Sequence, residues 1–330
     1  MDPVTHTIAG ALSGRVLAKR FSPWKIFFFC VIAAWVPDLD SFVGFGPEEY
    51  LLYHRAFTHS ILGIPLLAGL LAGIFKLFWK QAPFLPLFGI GSAVMALQVY
   101  LDLATTFGTM ILWPFTDHRF GFPGIFIIDP VFTLVLGILL LLTFVSGNRR
   151  RLFGFFGLLL AVVYPLFSLG IGTALESMLT TQMRPGTPYD RIHVTTDLFT
   201  PWYWKVVAEG NDHYGLGASS LFLSISEPPL VTFQKPDPDL VDTLRESDSF
   251  FRTWFWFAQF PAISSIRETA KGREITFLDL RFYSRSPIGR KIFPDFDPPF
   301  TLTAFFDPSG KVTAYAYHRH GETLITRVPD

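Results

Sequence analysis

Long apolar runs separated by short polar stretches dominate the first half of the chain. Four of the runs are about 20 residues long, the length at which a helix rising 1.5 Å per residue crosses a hydrocarbon core of about 30 Å. The pattern therefore predicts four membrane-spanning helices. They cover residues 60–79, 84–104, 125–145 and 152–174.

Two shorter apolar segments, 4–18 and 25–36, precede these runs. The first carries Gly10 and Gly14 among other small residues, at a spacing that lets two helices approach closely. The second is too short to cross a bilayer comfortably. Together they predict a tightly packed N-terminal helical hairpin.

The pattern changes near residue 180, where apolar runs give way to short stretches of alternating polar and apolar residues. Alternation of this kind, bounded by turn residues, predicts strands. They cover 204–209, 219–226, 274–283, 300–306 and 311–318, while 237–257 supplies one or two helices. The expected fold is a mainly α polytopic membrane helical bundle over residues 1–180, followed by a small α+β or mostly β soluble domain over 181–330.

Composition agrees with a membrane protein. Half of the 330 residues are hydrophobic and 16% are charged, against about 25% charged in ordinary soluble domains. The net charge of zero argues against nucleic acid as a partner. Cys30 is the one cysteine, so neither an intrachain disulfide nor a cysteine zinc site is possible.

Charge sign predicts an orientation. If the apolar segments alternate in direction, basic residues such as Arg149, Arg150 and Arg151 fall on one side, and the acidic residues before residue 180 fall on the other, with only Arg55 and Arg119 as basic neighbours. Because basic loops stay in the cytoplasm, we expect a multi-pass protein of the bacterial cytoplasmic membrane. Its acidic side and its C-terminal domain are expected to be extracytoplasmic.

Several histidines and aspartates lie within this apolar half, where an unpaired charge costs on the order of 2.5 to 3.5 kcal/mol. The same alternation brings them to one end of the bundle, and a metal ion would offset their cost. Imidazole and carboxylate without thiolate favour Zn²⁺, with Mn²⁺ or Fe²⁺ as alternatives and one or two ions. The candidate ligands are His6, Asp38, Asp40, His54, His59, Asp102 and Asp129.

A metal ion in such a site typically activates water for hydrolysis. Arg55 and Arg119 suit a substrate phosphate or a transition-state oxyanion, although Arg119 fits equally well as a counter-ion for a nearby aspartate. Asp40 and His54 complete the set of candidate catalytic residues.

These residues occur in an ordered set of motifs that resembles the YdjM-type family of bacterial membrane proteins, described as metal-dependent hydrolases. The resemblance covers roughly residues 1–180 and implies an integral membrane protein with a divalent metal. It supports His6, Asp38, Asp40, His54, His59 and Asp102 as ligands, whereas the stretch before Asp129 departs from the family pattern. The motifs are M-D-x-x-T-H, P-D-L-D, H-R-A-F-T-H-S, D-L-A-T-T-F-G-T and F-I-I-D-P.

The sequence therefore favours a membrane-bound hydrolase, with a metal-activated water attacking a phosphoester or another ester. The short N-terminal hairpin would seat the ligands near lipid headgroups, so membrane lipids or a lipid-linked small molecule are the expected partners. The alternative is a non-catalytic membrane protein, in which the His/Asp cluster is a structural metal or ion-pair site and the C-terminal domain binds a protein partner.

Overall fold

The computed structural model describes residues 1–18, 20–183, 186–198, 200, 202–220, 230–287, 291, 298–319 and 322–328. The chain forms two compact units. The first comprises residues 1–45 and 53–171, and the second comprises 46–52 and 172–330.

Helices make up the first unit. Short 3₁₀ helices at Pro37–Phe42 and Phe57–His59 interrupt them. Helix α7 continues from this unit into the second. Up to residue 182 the α-helices are α1 (Pro3–Leu17), α2 (Pro23–Trp35), α3 (Pro47–Tyr53), α4 (Gly63–Phe78), α5 (Phe84–Leu103), α6 (Pro130–Val145) and α7 (Arg150–Gln182), of which α3 belongs almost entirely to the second unit.

Sequence signals explain where two of these helices begin. Asp2 precedes α1 and accepts a hydrogen bond from the backbone nitrogen of Thr5 at 2.9 Å. Asp129 caps α6 in the same way through the backbone nitrogen of Phe132, also at 2.9 Å. In both cases a proline follows the cap, where its missing N–H costs no helical hydrogen bond.

Helices α1 and α2 pack closely because glycines lie between them. A Cβ atom on Gly10 would lie 2.6 Å from the carbonyl oxygen of Cys30, and one on Gly14 would lie 2.6 Å from the Cα of Phe27. Only glycine allows this approach. It holds the start of α1, and therefore His6, against the rest of the helical unit.

This packing gives a test of the hairpin. Gly10→Val is expected to lower the free energy of unfolding by about 3 kcal/mol, because the added methyl groups overlap backbone atoms of α2. Gly73→Ala is the control, since nothing lies within 4 Å of a Cβ at that helical position; its effect should stay within about 1 kcal/mol. Thermal unfolding in detergent micelles measures both. Equal losses in the two variants would contradict the close packing.

By length and composition, α5 and the segment Gly147–Gln182 are suited to cross a membrane. The bent pair Pro47–His59 and Gly63–Phe78 is a third candidate, so the described residues contain two or three candidate spans where the apolar runs predicted four. The difference arises because α4 and α6 have only 16 residues each, and α4 counts as a span only together with the bent segment before it. Residues 125–129, expected in a helix, instead lead into its cap.

Exposed apolar side chains support a membrane environment for the helical unit. On α4, Leu66, Leu70 and Leu77 are 64%, 62% and 70% exposed. Their spacing places them along one side of the helix. A contiguous exposed leucine stripe is costly in water and favourable against lipid.

The second unit is built on an antiparallel sheet whose nine described strands pair in sequence order. Strands at 204–209, 274–283, 300–306 and 311–318 were predicted and are observed as β2, β6, β7 and β8; most of the predicted strand 219–226 lies outside the described residues. The strands are β1 (Arg191–Thr196), β2 (Trp204–Glu209), β3 (His213–Ser219), β4 (Val231–Gln234), β5 (Pro261–Thr269), β6 (Gly272–Asp279), β7 (Thr301–Phe306), β8 (Val312–Arg319) and β9 (Glu322–Arg327).

Two helices, α8 (Pro238–Ser247) and α9 (Ser249–Phe257), join β4 to β5 in this unit. The predicted helical segment 237–257 is thus observed. With a helical first unit and a sheet-based second unit, the predicted fold class is confirmed.

Helix α3 is anchored in the second unit. The carboxylate of Glu48 accepts hydrogen bonds from the hydroxyls of Ser249 at 2.8 Å and Thr253 at 2.9 Å. The guanidinium of Arg319 lies 3.2 Å from the ring centroid of Tyr50. In the sequence this helix stands between the P-D-L-D and H-R-A-F-T-H-S motifs.

Candidate metal centre

Three predicted ligands from distant parts of the sequence meet in the helical unit. His6 lies in the first turns of α1, Asp38 in the 3₁₀ helix Pro37–Phe42, and Asp102 in the last turn of α5. Each residue offers one ligand atom within 4.8 Å of the others. His6 Nε2 lies 3.8 Å from Asp38 Oδ2 and 3.5 Å from Asp102 Oδ1.

His59 extends this group. Its Nε2 atom lies 3.4 Å from Asp38 Oδ1 and 3.2 Å from Asp102 Oδ2. Its other ring nitrogen is 2.9 Å from the hydroxyl oxygen of Thr58, a contact that fixes the orientation of the ring. His6, His59 and Asp102 are fully buried, whereas the Asp38 side chain is 22% exposed.

The distances suit a metal ion. Ligand atoms about 2.0–2.2 Å from one ion are about 3.0–3.5 Å from each other, depending on coordination number. Three of the four separations given above are 3.2–3.5 Å, and the fourth, from His6 Nε2 to Asp38 Oδ2, is 3.8 Å. Two imidazole nitrogens and two carboxylates are also chemically suitable donors for a divalent cation. His6, Asp38 and Asp102 therefore form a group that could hold a metal ion, with His59 beside it.

Asp40 and His54 form a second pair next to this group. Asp40 Oδ1 lies 2.9 Å from His54 Nδ1. Asp40 Oδ2 accepts hydrogen bonds from the backbone nitrogen of Arg55 and the hydroxyl of Thr58, both at 2.9 Å. Burial by itself raises the pKa of the Asp40 carboxyl. The hydrogen bond with His54 and the neighbouring imidazole charges together have a larger effect in the opposite direction, so the pKa is lowered from its usual value to about 2. In this structure both oxygens of Asp40 hold the 54–58 loop in place.

The two aspartates of the P-D-L-D motif contact different groups of residues. Pro37–Phe42 is a 3₁₀ helix, so Asp38 and Asp40 do not point the same way. Asp38 contacts His6 and His59, whereas Asp40 contacts His54 and the following loop. One short motif thereby serves two neighbouring groups of residues.

Arg55 connects the two groups. Its backbone φ is +62°, a conformation that non-glycine residues rarely adopt. Its Nη2 lies 2.6 Å from Asp102 Oδ1, and its Nη1 donates to the hydroxyl of Thr105 at 3.2 Å. The guanidinium also lies 4.9 Å from the ring centroid of Phe107. A buried cation thus stands beside the metal-binding group.

Arg119 approaches the same phenylalanine. Its guanidinium is 5.2 Å from the Phe107 ring centroid, and its hydrogen bonds include those to the carbonyl oxygens of Gly108 at 3.3 Å and His54 at 3.1 Å. Two predicted basic residues are therefore gathered around one aromatic ring, next to the Asp40–His54 pair.

Asp129 has a structural role at the start of α6. It is fully buried, caps α6, and accepts a hydrogen bond from the hydroxyl of Tyr164 at 2.9 Å. Its described contacts are thus with the helix that it caps and with α7, and it is outside the group of His6, Asp38 and Asp102.

Two further residues contact the group and were not predicted. Gln98 is buried one helical turn before Asp102 on α5, and the amine of Met1 contacts the Asp102 carboxylate. The four-residue spacing from Asp102 was the available signal for Gln98, because it places both side chains on one helical face. A neutral amide costs less to bury than a charge, so the residue type itself gave no further signal.

Fold and site together define a helical membrane protein with a buried His/Asp group that could hold a metal ion. The chain belongs to the YdjM inner membrane protein family, whose sequence profile matches residues 1–174. The resemblance noted in the motifs is thereby confirmed. Membership and the apolar helices indicate a membrane location.

Two relatives share part of this region. The chain is 25% identical over 138 residues to the uncharacterized protein YfhP of Bacillus subtilis, covering 39% of this chain and 42% of that protein. It is 28% identical over 124 residues to the inner membrane protein YbcI of Escherichia coli, covering 36% of this chain and 71% of that protein. The chain thus spans less than half of the first relative. No solved structure matches it.

Proposed function

We propose that this protein is a metal-dependent hydrolase that cleaves a lipid-linked phosphoester in the bacterial inner membrane. The observation that carries the proposal is the meeting of His6, Asp38, His59 and Asp102 beside the buried Arg55. The group of His6, Asp38 and Asp102 could hold a cation, with His59 beside it as a further donor, and a fixed guanidinium at the same place suits an anionic substrate.

The metal ion, His54 and Asp40 have different roles in the proposed reaction. A divalent ion, when bound, would lower the pKa of a water molecule and polarise a phosphoryl oxygen. His54 donates its Nδ1 proton to Asp40, which leaves Nε2 as the nitrogen that accepts or returns a proton during the reaction. Asp40 thus acts by orienting His54.

The two arginines favour a phosphoester over a carboxylic ester. Arg55 and Arg119 gather around Phe107, close to the Asp40–His54 pair. The transition state of phosphoryl transfer spreads negative charge over three oxygens, and guanidinium groups stabilise such charge. Hydrolysis of a carboxylic ester places the negative charge on one oxygen instead of three, so fewer cations would be needed to stabilise it.

The position of the site along the helices favours a lipid-linked substrate. His6 lies near the start of α1 and Asp102 near the end of α5, so the group is at helix ends. Ends of spanning helices lie near the headgroups, where a lipid phosphoester is found. The charge distribution of the sequence supports an extracytoplasmic orientation for this end.

One observation favours a purely structural role. Asp102 forms an ion pair with Arg55 at 2.6 Å, so part of its charge is balanced by the protein itself. In that case the cluster would stabilise the bundle without catalysis. The two roles differ in what His54 does, because it lies outside the group of His6, Asp38 and Asp102.

His54→Gln is therefore expected to lower turnover by at least about 100-fold while metal content and thermal stability stay near wild type. The assay uses purified protein in detergent with Zn²⁺ or Mn²⁺, and compares phosphatidic acid and a polyprenyl phosphate with the water-soluble p-nitrophenyl phosphate. His118→Gln, at an exposed loop histidine, is the matched control. Metal binding without release of phosphate from any of these substrates would contradict the proposal and favour the structural role.

A further inference from the structure

Gln98 is a neutral side chain among the candidate ligands and is only 1% exposed. Its amide nitrogen lies 2.5 Å from Asp102 Oδ2 and 3.3 Å from Asp38 Oδ1. The same atom lies 3.4 Å from His59 Nε2 and 3.5 Å from His6 Nε2. One terminal amide atom therefore contacts all four groups that could bind the metal.

These distances show whether the amide atom lies where the ion would lie or where a ligand of the ion would lie. An atom at the centre of the site would be about 2.0–2.2 Å from each ligand, whereas another ligand would be about 3.0–3.5 Å from its neighbours. Three of the four distances from Gln98 are 3.3–3.5 Å. The amide atom thus stands where an additional ligand would stand.

The other end of the amide points to the same role. Gln98 Oε1 is buried and has no hydrogen-bond partner among the described residues. The nitrogen and oxygen of an amide have nearly the same shape, and a half-turn about the terminal bond exchanges them. An amide oxygen is an atom type that can bind a metal ion. After that half-turn the oxygen of Gln98 faces the two carboxylates and two imidazoles.

We propose that Gln98 is a fifth metal ligand through Oε1. The inference rests on the metal site of the proposed function and is independent of the reaction. It completes a set of two nitrogens and three oxygens. Zn²⁺ is satisfied by four ligands, whereas Mn²⁺ prefers more oxygen donors and a higher coordination number. Gln98 therefore raises the affinity for Mn²⁺ relative to Zn²⁺.

The test titrates the full chain in detergent with MnCl₂ and ZnCl₂ in competition with a chelating dye. Gln98→Leu removes the ligand, Gln98→Glu keeps an oxygen, and Ser92→Ala removes another polar group of α5 as the matched control. Gln98→Leu should weaken Mn²⁺ binding about 10–100-fold and Zn²⁺ binding less than tenfold. Gln98→Glu should bind Mn²⁺ at least as tightly as wild type, and Ser92→Ala should change neither affinity.

Equal loss of both metals in Gln98→Leu, or no loss, would overturn the proposal, because a packing role does not distinguish the ions. If Gln98→Leu does not fold, Gln98→Glu decides: a ratio of Mn²⁺ to Zn²⁺ affinity above that of wild type supports the ligand role, and an unchanged or lower ratio overturns it. Metal binding by the wild type without hydrolysis would remove the proposed reaction but leave the role of Gln98 intact.

Discussion

Asp102→Asn is expected to lower divalent metal affinity by more than about 100-fold, so that the purified variant carries almost no metal. Asp102 lies at the centre of the site. His6, His59 and Arg55 each have a side-chain nitrogen within 3.5 Å of one of its carboxylate oxygens. The amide has nearly the same shape but lacks the charge. Elemental analysis of the purified chains measures the effect.

Asp129→Asn is the matched control for this substitution. Asp129 is also a fully buried aspartate, but it caps α6 instead of facing His6 and Asp38. The variant should stay within about 1 kcal/mol of the wild-type stability, because asparagine caps a helix as well as aspartate does, and should retain its metal. Equal metal content in the two variants, whether high or low, would show that Asp102 has no special role as a ligand.

Removal of the metal is the second large effect. A ligand present at 1,000 times its dissociation constant stabilises the folded state by about 4 kcal/mol. Chelation should therefore lower the melting temperature on the order of 10 °C. The loss is expected because the carboxylates of Asp38 and Asp102 and two imidazoles would then face one another without a divalent cation.

The variant Asp102→Asn shows whether the effect of the chelator comes from this site. Since that variant should hold no metal, its melting temperature should be the same with and without chelator. Differential scanning fluorimetry of both proteins in one detergent provides the values. A chelator shift of equal size in the variant would mean that the metal acts somewhere other than at His6, Asp38 and Asp102.

Much of the fold was predictable because length and alternation are local signals. Strand β2, at Trp204–Glu209, was predicted with its observed ends, since apolar residues and turn signals bound it. Strand β9 was missed because all six of its residues are exposed, which leaves no buried face to produce an alternating pattern. Helix α6 is shorter than its apolar run because apolar residues such as Ile125 lie in the non-helical segment before it.

The site was predictable to the extent that charge in an apolar segment is costly. That cost singled out His6, Asp38, His59 and Asp102, which the structure brings together. The separation of Asp40 from Asp38 depends on the 3₁₀ turn at Pro37–Phe42, which the spacing alone did not reveal.

Gln98 was missed for a complementary reason. A neutral amide costs less to bury than a charge, so its presence in an apolar helix is not an energetic anomaly. Only its position four residues before Asp102, seen together with the folded geometry, shows that it faces the same group.

X-ray absorption spectroscopy at the edge of the bound metal identifies the donor atoms around the ion, and therefore shows whether His6, Asp38, His59 and Asp102 bind it. The expected result is one shell of nitrogen and oxygen atoms at about 2.0–2.2 Å together with the outer-shell signal of two imidazole rings, and loss of that signal in His59→Ala and Asp102→Asn. Protein that takes up no metal after incubation with Zn²⁺ or Mn²⁺, or a spectrum without imidazole, would contradict it.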